Sequence, residues 1–393
     1  MHFTKSLSFC LLLSYSTLFA TQSNLLSNLK KEIIKNDQQK NELNSDNLEK
    51  SWINSIDGKF TYSKNYSINH KYETTNTLSI IINQPIFKSG GIYYAIKYAN
   101  ADRKFLRIVN KNSEQLQIKT TLSSLYNIKK IDLQLQKQKL LIKNAKIDIL
   151  RKEEQYKSGF LDSSYLNQSI LSKNSLERGL LDMKSSRFDL IKTFKSYSDM
   201  NIKNIKLPIF SLIDESKFLK KSLAISQKNS EIIKNNYLRK MTKSNYLPTV
   251  SFNAGYYNIR DFGRKKYTNF GLTFSVPLID INKNRTIQIK KLEYLKSKLQ
   301  LSDTKRAQKE NYDSVVNKIL LLKEKIKLTN RDLKLYDSLL SSTKDSFEAG
   351  EKTIYDVQTL ENSKKTMNLD TKIFNLDIQL SLLELYAQMN GEI

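Results

Sequence analysis

Apolar positions along this 393-residue chain follow two periods, and each period occurs in two separate parts of the sequence. The first is strict alternation. Val250, Phe252, Ala254 and Tyr256 share one side of an extended segment, against Thr249, Ser251, Asn253 and Gly255 on the other. Phe270, Leu272, Phe274 and Val276 repeat this against Gly271, Thr273 and Ser275. Nearer the N-terminus, Leu78, Ile80 and Ile82 oppose Thr77, Ser79 and Asn83, and Phe60, Tyr62, Tyr66 and Ile68 oppose Thr61, Ser63, Asn65 and Ser67. Period two places alternate side chains on opposite faces of a strand, so the pattern predicts two strand pairs, at about 58–87 and 248–279.

The second period is helical. No Gly or Pro occurs between Gly91 and Gly159 or between Pro277 and Gly350, intervals of 67 and 72 residues. As continuous helix each would reach roughly 100 Å at 1.5 Å per residue. Leu133, Leu140 and Ile147 keep a seven-residue step, and Val316, Ile319, Leu322, Ile326, Leu333, Tyr336 and Leu340 a looser one. Such spacing gives coiled-coil-like packing. A further helical pattern follows each glycine, from Leu161 to about Met200 and from Thr353 to about Met389, so each long helix should fold back as an antiparallel hairpin. Weaker helical patterns precede the strands at about Asn24–Leu48 and Asp214–Ser244.

These periods belong to a duplication. Pro85 and Pro277 close the strand pairs 192 residues apart, and the turn glycines Gly159 and Gly350 lie 191 apart. Agreement within one residue at two distant landmarks predicts a repeated unit of helix, two strands and long helical hairpin. The expected organisation is a leader at 1–20, a first repeat at 21–207 with its hairpin at about 88–200, and a second at 208–393 with its hairpin at about 282–390. All four prolines fall at expected element boundaries, where a missing N–H does least harm.

Composition decides the compartment. Lys5, an apolar stretch from Leu7 to Phe19 and Leu18-Phe19-Ala20 read as a secretory signal, too short to span a bilayer. The bulky Phe9 before Cys10 argues against a lipid-anchoring box. Once the leader is removed no cysteine remains, leaving neither disulfide nor thiolate chemistry. The formal charge of +26 invites a nucleic-acid partner, but the lysines are spread along the helical patterns and no recognition motif accompanies them. Nucleic acid is therefore not expected.

No catalytic constellation is present. The two histidines are His2, in the leader, and His70, at a strand end; there is no HExxH pair and no GxxxxGK[ST] loop. Gly90-Gly91 follows a proline-closed strand without a second glycine set, too little for a phosphate cradle. The expectation is a non-enzyme with no cofactor and no metal.

Alternation alone fits either a lipid-facing barrel strand or a soluble sheet with one buried face. The exported context, the long helices and aromatic residues near strand ends (Tyr66, Tyr72, Tyr256, Tyr257, Tyr267) favour the barrel. Four strands cannot close one, since the smallest membrane barrels have about eight and an open edge in lipid leaves backbone groups unsatisfied. The chain must share its barrel with copies of itself, two giving eight strands and three giving twelve. The competing reading is a periplasmic coiled-coil adaptor or structural protein with a small soluble sheet.

The chain resembles the TolC family of outer-membrane channels. The likeness rests on the duplicated plan, on the junction Gln84-Pro85-Ile86-Phe87-Lys88-Ser89-Gly90-Gly91, with Pro277 in the second copy, and on Phe347-Glu348-Ala349-Gly350-Glu351-Lys352-Thr353-Ile354-Tyr355-Asp356-Val357, similar to the family's periplasmic helix turn. The resemblance implies a mainly helical protein with transmembrane β-structure: a homotrimer forming a twelve-stranded outer-membrane barrel continued by a periplasmic α-helical barrel. It implies an exit duct for drug efflux or type I protein secretion, with outer-membrane lipid, a periplasmic adaptor and an inner-membrane pump as partners. It also implies a periplasmic gate. Asp356 stands at an acidic ring position, Thr359 replaces the next acid, Lys352 stands at a basic closing position, and Tyr165 replaces an acid in the first repeat, leaving Lys352 to meet Tyr165 or Asp162. The basic loop Arg260–Lys266 would face outward.

Overall fold

The computed structural model describes residues 25–66, 72–261 and 263–391. The expected leader with His2 and Cys10, the strand-end residues Ile68 and His70, and Phe262 of the basic loop lie outside them. The elements in chain order are α1 (Asn28–Lys50), β1 (Ile56–Tyr66), β2 (Tyr72–Phe87), α2 (Gly91–Lys157), α3 (Ser163–Tyr197), α4 (Glu215–Lys221), α5 (Leu223–Ser244), β3 (Thr249–Arg260), β4 (Arg264–Ser275), α6 (Lys283–Glu348) and α7 (Ile354–Tyr386). Two strands and two long helices thus occur twice, and α2 and α6 run for 67 and 66 residues. No described helix is long and apolar enough to cross a membrane.

The chain divides into two compact units, one containing the described residues up to Ile33 with 112–222 and 307–393, the other containing 34–111 and 223–306. The second holds the sheet, which is antiparallel with strand order β1-β2-β3-β4. Its register pairs Phe60 with Leu78, Ile80 with Tyr256, Ile82 with Ala254 and Phe252 with Leu272. Paired residues share a face, so the alternating apolar sets of all four strands line up on one side. That side is uncovered: Phe60 is 68% exposed, Ile80 50%, Phe270 83% and Leu272 68%. Elsewhere in the unit, Arg103 of α2 is clamped by Glu42, Asp46 and Glu49 along one side of α1.

Three boundaries differ from the sequence expectation. Pro85 lies inside β2 rather than closing it, and the ladder to β3 slips between Pro85 and Phe87. A bulge accommodates a residue that cannot donate to the ladder. The last strand ends at Ser275, so Leu278, Ile279 and Ile281 lie outside the sheet, and Pro277 sits in this extended lead to α6. The pattern at 214–244 is two helices, because Ser222 takes an extended backbone and bridges Met389. At the junction to α2, Ser89 and Gly90 take left-handed φ of 47° and 82°, and the Ser89 hydroxyl donates to the Pro248 carbonyl at 2.6 Å. Gly91 then starts the helix.

The first unit has its own core. Phe194, Phe218, Leu383, Leu385 and Met389 are fully buried. The Tyr126 hydroxyl donates to the Pro208 carbonyl and that of Tyr312 to the Ile213 carbonyl, fixing the link between the two halves of the chain against α2 and α6. Burial raises both phenols above their ordinary range. Removing the first bond without changing shape, as in Tyr126→Phe, leaves a partly buried carbonyl without this donor, and a loss of about 1 kcal/mol in a urea melt is expected.

Candidate functional site

The hairpin turns at the end of the first unit use local chemistry to reverse long helices. Gly159 and Gly350 have φ of 75° and 78°, the left-handed region that costs a residue with a Cβ. In each turn the glycine amide and the next amide donate back to the helix. Gly159 N–H bonds Tyr156 O and Phe160 N–H bonds Gln155 O, while Gly350 N–H bonds Phe347 O and Glu351 N–H bonds Ser346 O. This pattern satisfies carbonyls that the helix end leaves orphaned. The returning helices then need N-terminal acceptors. Asp162 caps α3 by accepting from Ser164 N–H at 2.8 Å.

Asp356 has two roles at once. One oxygen accepts from the Thr353 amide at 2.9 Å and its hydroxyl at 2.8 Å, closing a capping box at the start of α7. The other accepts from Arg151 of α2 at 2.6 Å. The Thr353 amide first, then its hydroxyl and the Arg151 charge, hold this carboxyl below the usual carboxylate range. A depressed pKa stabilises the fold above the unfolded-state value of about 4, and that contribution is lost as pH falls through the folded-state value. Asp356→Asn is therefore expected to cost about 1 kcal/mol at pH 7. The difference from wild type should vanish in melts taken well below pH 4.

Lys352 is exposed and makes no ion pair among the described residues, and no hydrogen bond joins it to Tyr165 or Asp162. Tyr165 is 59% exposed on α3. Within one chain, then, Asp356 meets Arg151, which the sequence reading did not single out. A cleft of about 410 Å³ between Arg151, Glu154, Phe160, Thr353, Tyr355 and Asp356 leaves this pair open to water and ions.

Arg151–Asp356 is the last rung of a ladder. Lys130 Nζ meets Asp377 at 2.6 Å, Lys137 Nζ meets Asp370 at 2.7 Å, and Asn144 meets Ser363 and Asn362 at 3.3 and 2.8 Å. Each step is seven residues up α2 and seven down α7, as two antiparallel helices in coiled-coil contact require. Lys119–Glu384, at 2.6 Å, follows one turn out of that register. Every cation is on α2 and every anion on α7. The signal was available in the sequence as Lys130, Lys137, Asn144 and Arg151 against Asp356, Ser363, Asp370 and Asp377. A search for apolar heptads passes over it.

Uncovered apolar strands, long helical hairpins in duplicate and a charged helix-turn tip are the defining features of this fold. Residues 216–391, a little under half of the chain, match the family model described as outer membrane efflux protein. A search of curated protein sequences gives no match. The fold is that of solved channels over nearly the whole chain. It is similar to the Campylobacter jejuni CmeC outer membrane channel at 14% identity, covering 95% of this chain and 85% of that one with a TM-score of 0.74. It is similar to the Vibrio cholerae outer membrane protein VceC at 13% identity, covering 95% and 97% with a TM-score of 0.74. The open state of the Neisseria gonorrhoeae MtrE outer membrane channel aligns at 10% identity, covering 93% and 88% with a TM-score of 0.69.

Proposed function

We propose that three copies of this chain close a twelve-stranded barrel in the outer membrane, continued in the periplasm by a helical tunnel. The assembly serves as the exit duct of a tripartite export system with an adaptor and an inner-membrane pump. The carrying observation is the sheet: one face presents exposed Phe60, Ile80, Phe270 and Leu272, and β1 and β4 are its edges. A soluble sheet with one buried face would cover those side chains, and lipid would not tolerate the edges unless β4 of one copy paired with β1 of the next. This favours the channel over the adaptor reading. Small molecules are the default cargo and secreted protein the alternative, since a duct recognises cargo mainly through its partners. The leader at 1–20 and the repeats at 21–207 and 208–393 belong to the same proposal.

Light scattering of the leader-cleaved protein from the outer-membrane fraction, in mild detergent with the detergent mass subtracted, should give three chains. A monomer that stays in solution without detergent would remove the barrel. At the tip, three Asp356 carboxylates near a common axis would favour cations. Arg151 offsets part of that charge. In single-channel recordings Asp356→Asn should lower cation selectivity and block by trivalent ions, and Arg151→Gln should raise selectivity. Unchanged selectivity in both variants would remove the acidic gate, and with it the assigned roles of Lys352, Tyr165 and Asp162.

A further inference from the structure

The duplication carries information about a contact that a single chain does not contain. In the seam between α2 and α7, residue numbers across each in-register rung have a constant sum of 507: Lys130 with Asp377, Lys137 with Asp370, Asn144 with Ser363, Arg151 with Asp356. The second repeat places α6 where the first places α2, and the hairpin turns fix the offset at 191 through Gly159 and Gly350. Moving α2 forward by 191 and α7 back by 191 gives an equivalent seam between α6 and α3 with the same sum. Its rungs are Leu321 with Ser186, Leu328 with Gly179, Leu335 with Ser172 and Ser342 with Tyr165.

Within one chain these α6 positions are uncovered. Leu321 is 60% exposed, Leu328 56% and Leu335 59%, spaced by seven along a single line of α6. They are not the apolar residues that face α7, since Ile319 and Leu322 beside them are buried. A leucine line at coiled-coil spacing with nothing over it is a surface made for another helix. The line it should meet consists of small residues. Ser172 and Ser186 are exposed on α3, and Gly179 between them is half-buried, with Gln138 of α2 in the same chain 3.3 Å from where its Cβ would lie. Large side chains on one helix and small ones opposite let two helices approach closely and interdigitate.

We propose that α6 of one copy packs on α3 of a second copy in this register, with Leu321, Leu328 and Leu335 seated over Ser186, Gly179 and Ser172 of the neighbouring copy. This inference rests on the trimeric reading and adds the partner surface and its register. It makes the two kinds of seam chemically different. The seam inside each chain is joined by ion pairs, and the seam between copies by leucines against serines and glycine. Because the contact uses one surface on α6 and a different one on α3, it is head-to-tail, and repeating it closes a ring. It also places Tyr165 opposite Ser342 of the neighbouring copy, within reach of a hydroxyl bond at the tip.

The test uses the full-length, leader-cleaved protein, whose sequence after residue 20 contains no cysteine to interfere. Leu321→Cys with Ser186→Cys, and separately Leu335→Cys with Ser172→Cys, are treated in detergent with a short bis-methanethiosulfonate crosslinker and run denatured beside untreated protein. Covalent dimers and trimers are expected from both pairs. Leu321→Cys with Ser172→Cys, two heptads out of register, should remain monomeric on the gel. Light scattering on the same samples separates two failures. A trimer without in-register crosslinks, or with equal crosslinking of the mismatched pair, overturns the register while leaving the channel reading intact; a monomer overturns both. As a second readout, Leu328→Asp should dissociate the trimer at least tenfold more readily on dilution, whereas Lys323→Asp, at a polar position on the same helix, should leave dissociation unchanged. Equal effects would remove the leucine seam.

Discussion

Phe218→Ala should lower the stability of the unit containing the helix turns by about 3–5 kcal/mol. Phe218 is fully buried, and its ring lies 5.6 Å from that of Tyr312, whose hydroxyl donates to Ile213 O at 2.7 Å. Truncation removes the apolar area of a phenyl ring and leaves a hole beside a tyrosine held by its own hydrogen bond, so the site cannot easily collapse. Phe160→Ala makes the comparison. Phe160 is 86% exposed at the first hairpin turn, and its loss should stay within about 0.5 kcal/mol. Urea melts followed by far-UV circular dichroism would measure both. Similar midpoints for the two variants would show that the Phe218–Tyr312 cluster does not hold this unit together.

The second large effect concerns the ladder. Lys137→Asp alone sets a carboxylate against Asp370 in a partly buried seam, and Asp370→Lys alone sets two ammonium groups together. Each single change should cost about 1–2 kcal/mol, and the double swap should recover most of it, giving a coupling of about 0.5–3 kcal/mol. Side chains 33% and 20% exposed are screened less than a fully exposed surface pair, which is why coupling above the usual surface value is expected. Raising salt from 0.05 to about 1 M should shrink the coupling, because the screening length falls to roughly 3 Å. A double variant no more stable than the sum of the singles would show that the rung marks proximity without contributing interaction.

Much of the architecture could be read because its signals are local. Strand alternation, glycine-free runs and turn glycines each depend on a few consecutive residues, and the duplication doubled every signal. The departures occurred where a distant partner decided the outcome. Pro85 stayed in β2 because the strand bulges at Ile86, between the Pro85–Ser251 and Phe87–Val250 pairs, a fact about pairing 166 residues away at Ser251. Ser222 broke a continuous helical pattern because Met389 offered it a bridge. At the tip, the family resemblance suggested Asp356 and its neighbours, but the side chain that meets Asp356 is Arg151, which is 205 residues distant in sequence.

The ladder marks the limit most clearly. Sequence alone determined that polar residues recur every seven positions on both helices, Lys, Lys, Asn and Arg on one and Asp, Ser, Asp and Asp on the other. A period, however, defines only the face of a helix and leaves its partner open, since any helix with a complementary face satisfies it. Tertiary structure chose α7 for α2 and fixed the register of each rung, because side chains form ion pairs only within a few ångströms and only one antiparallel alignment brings all of them that close.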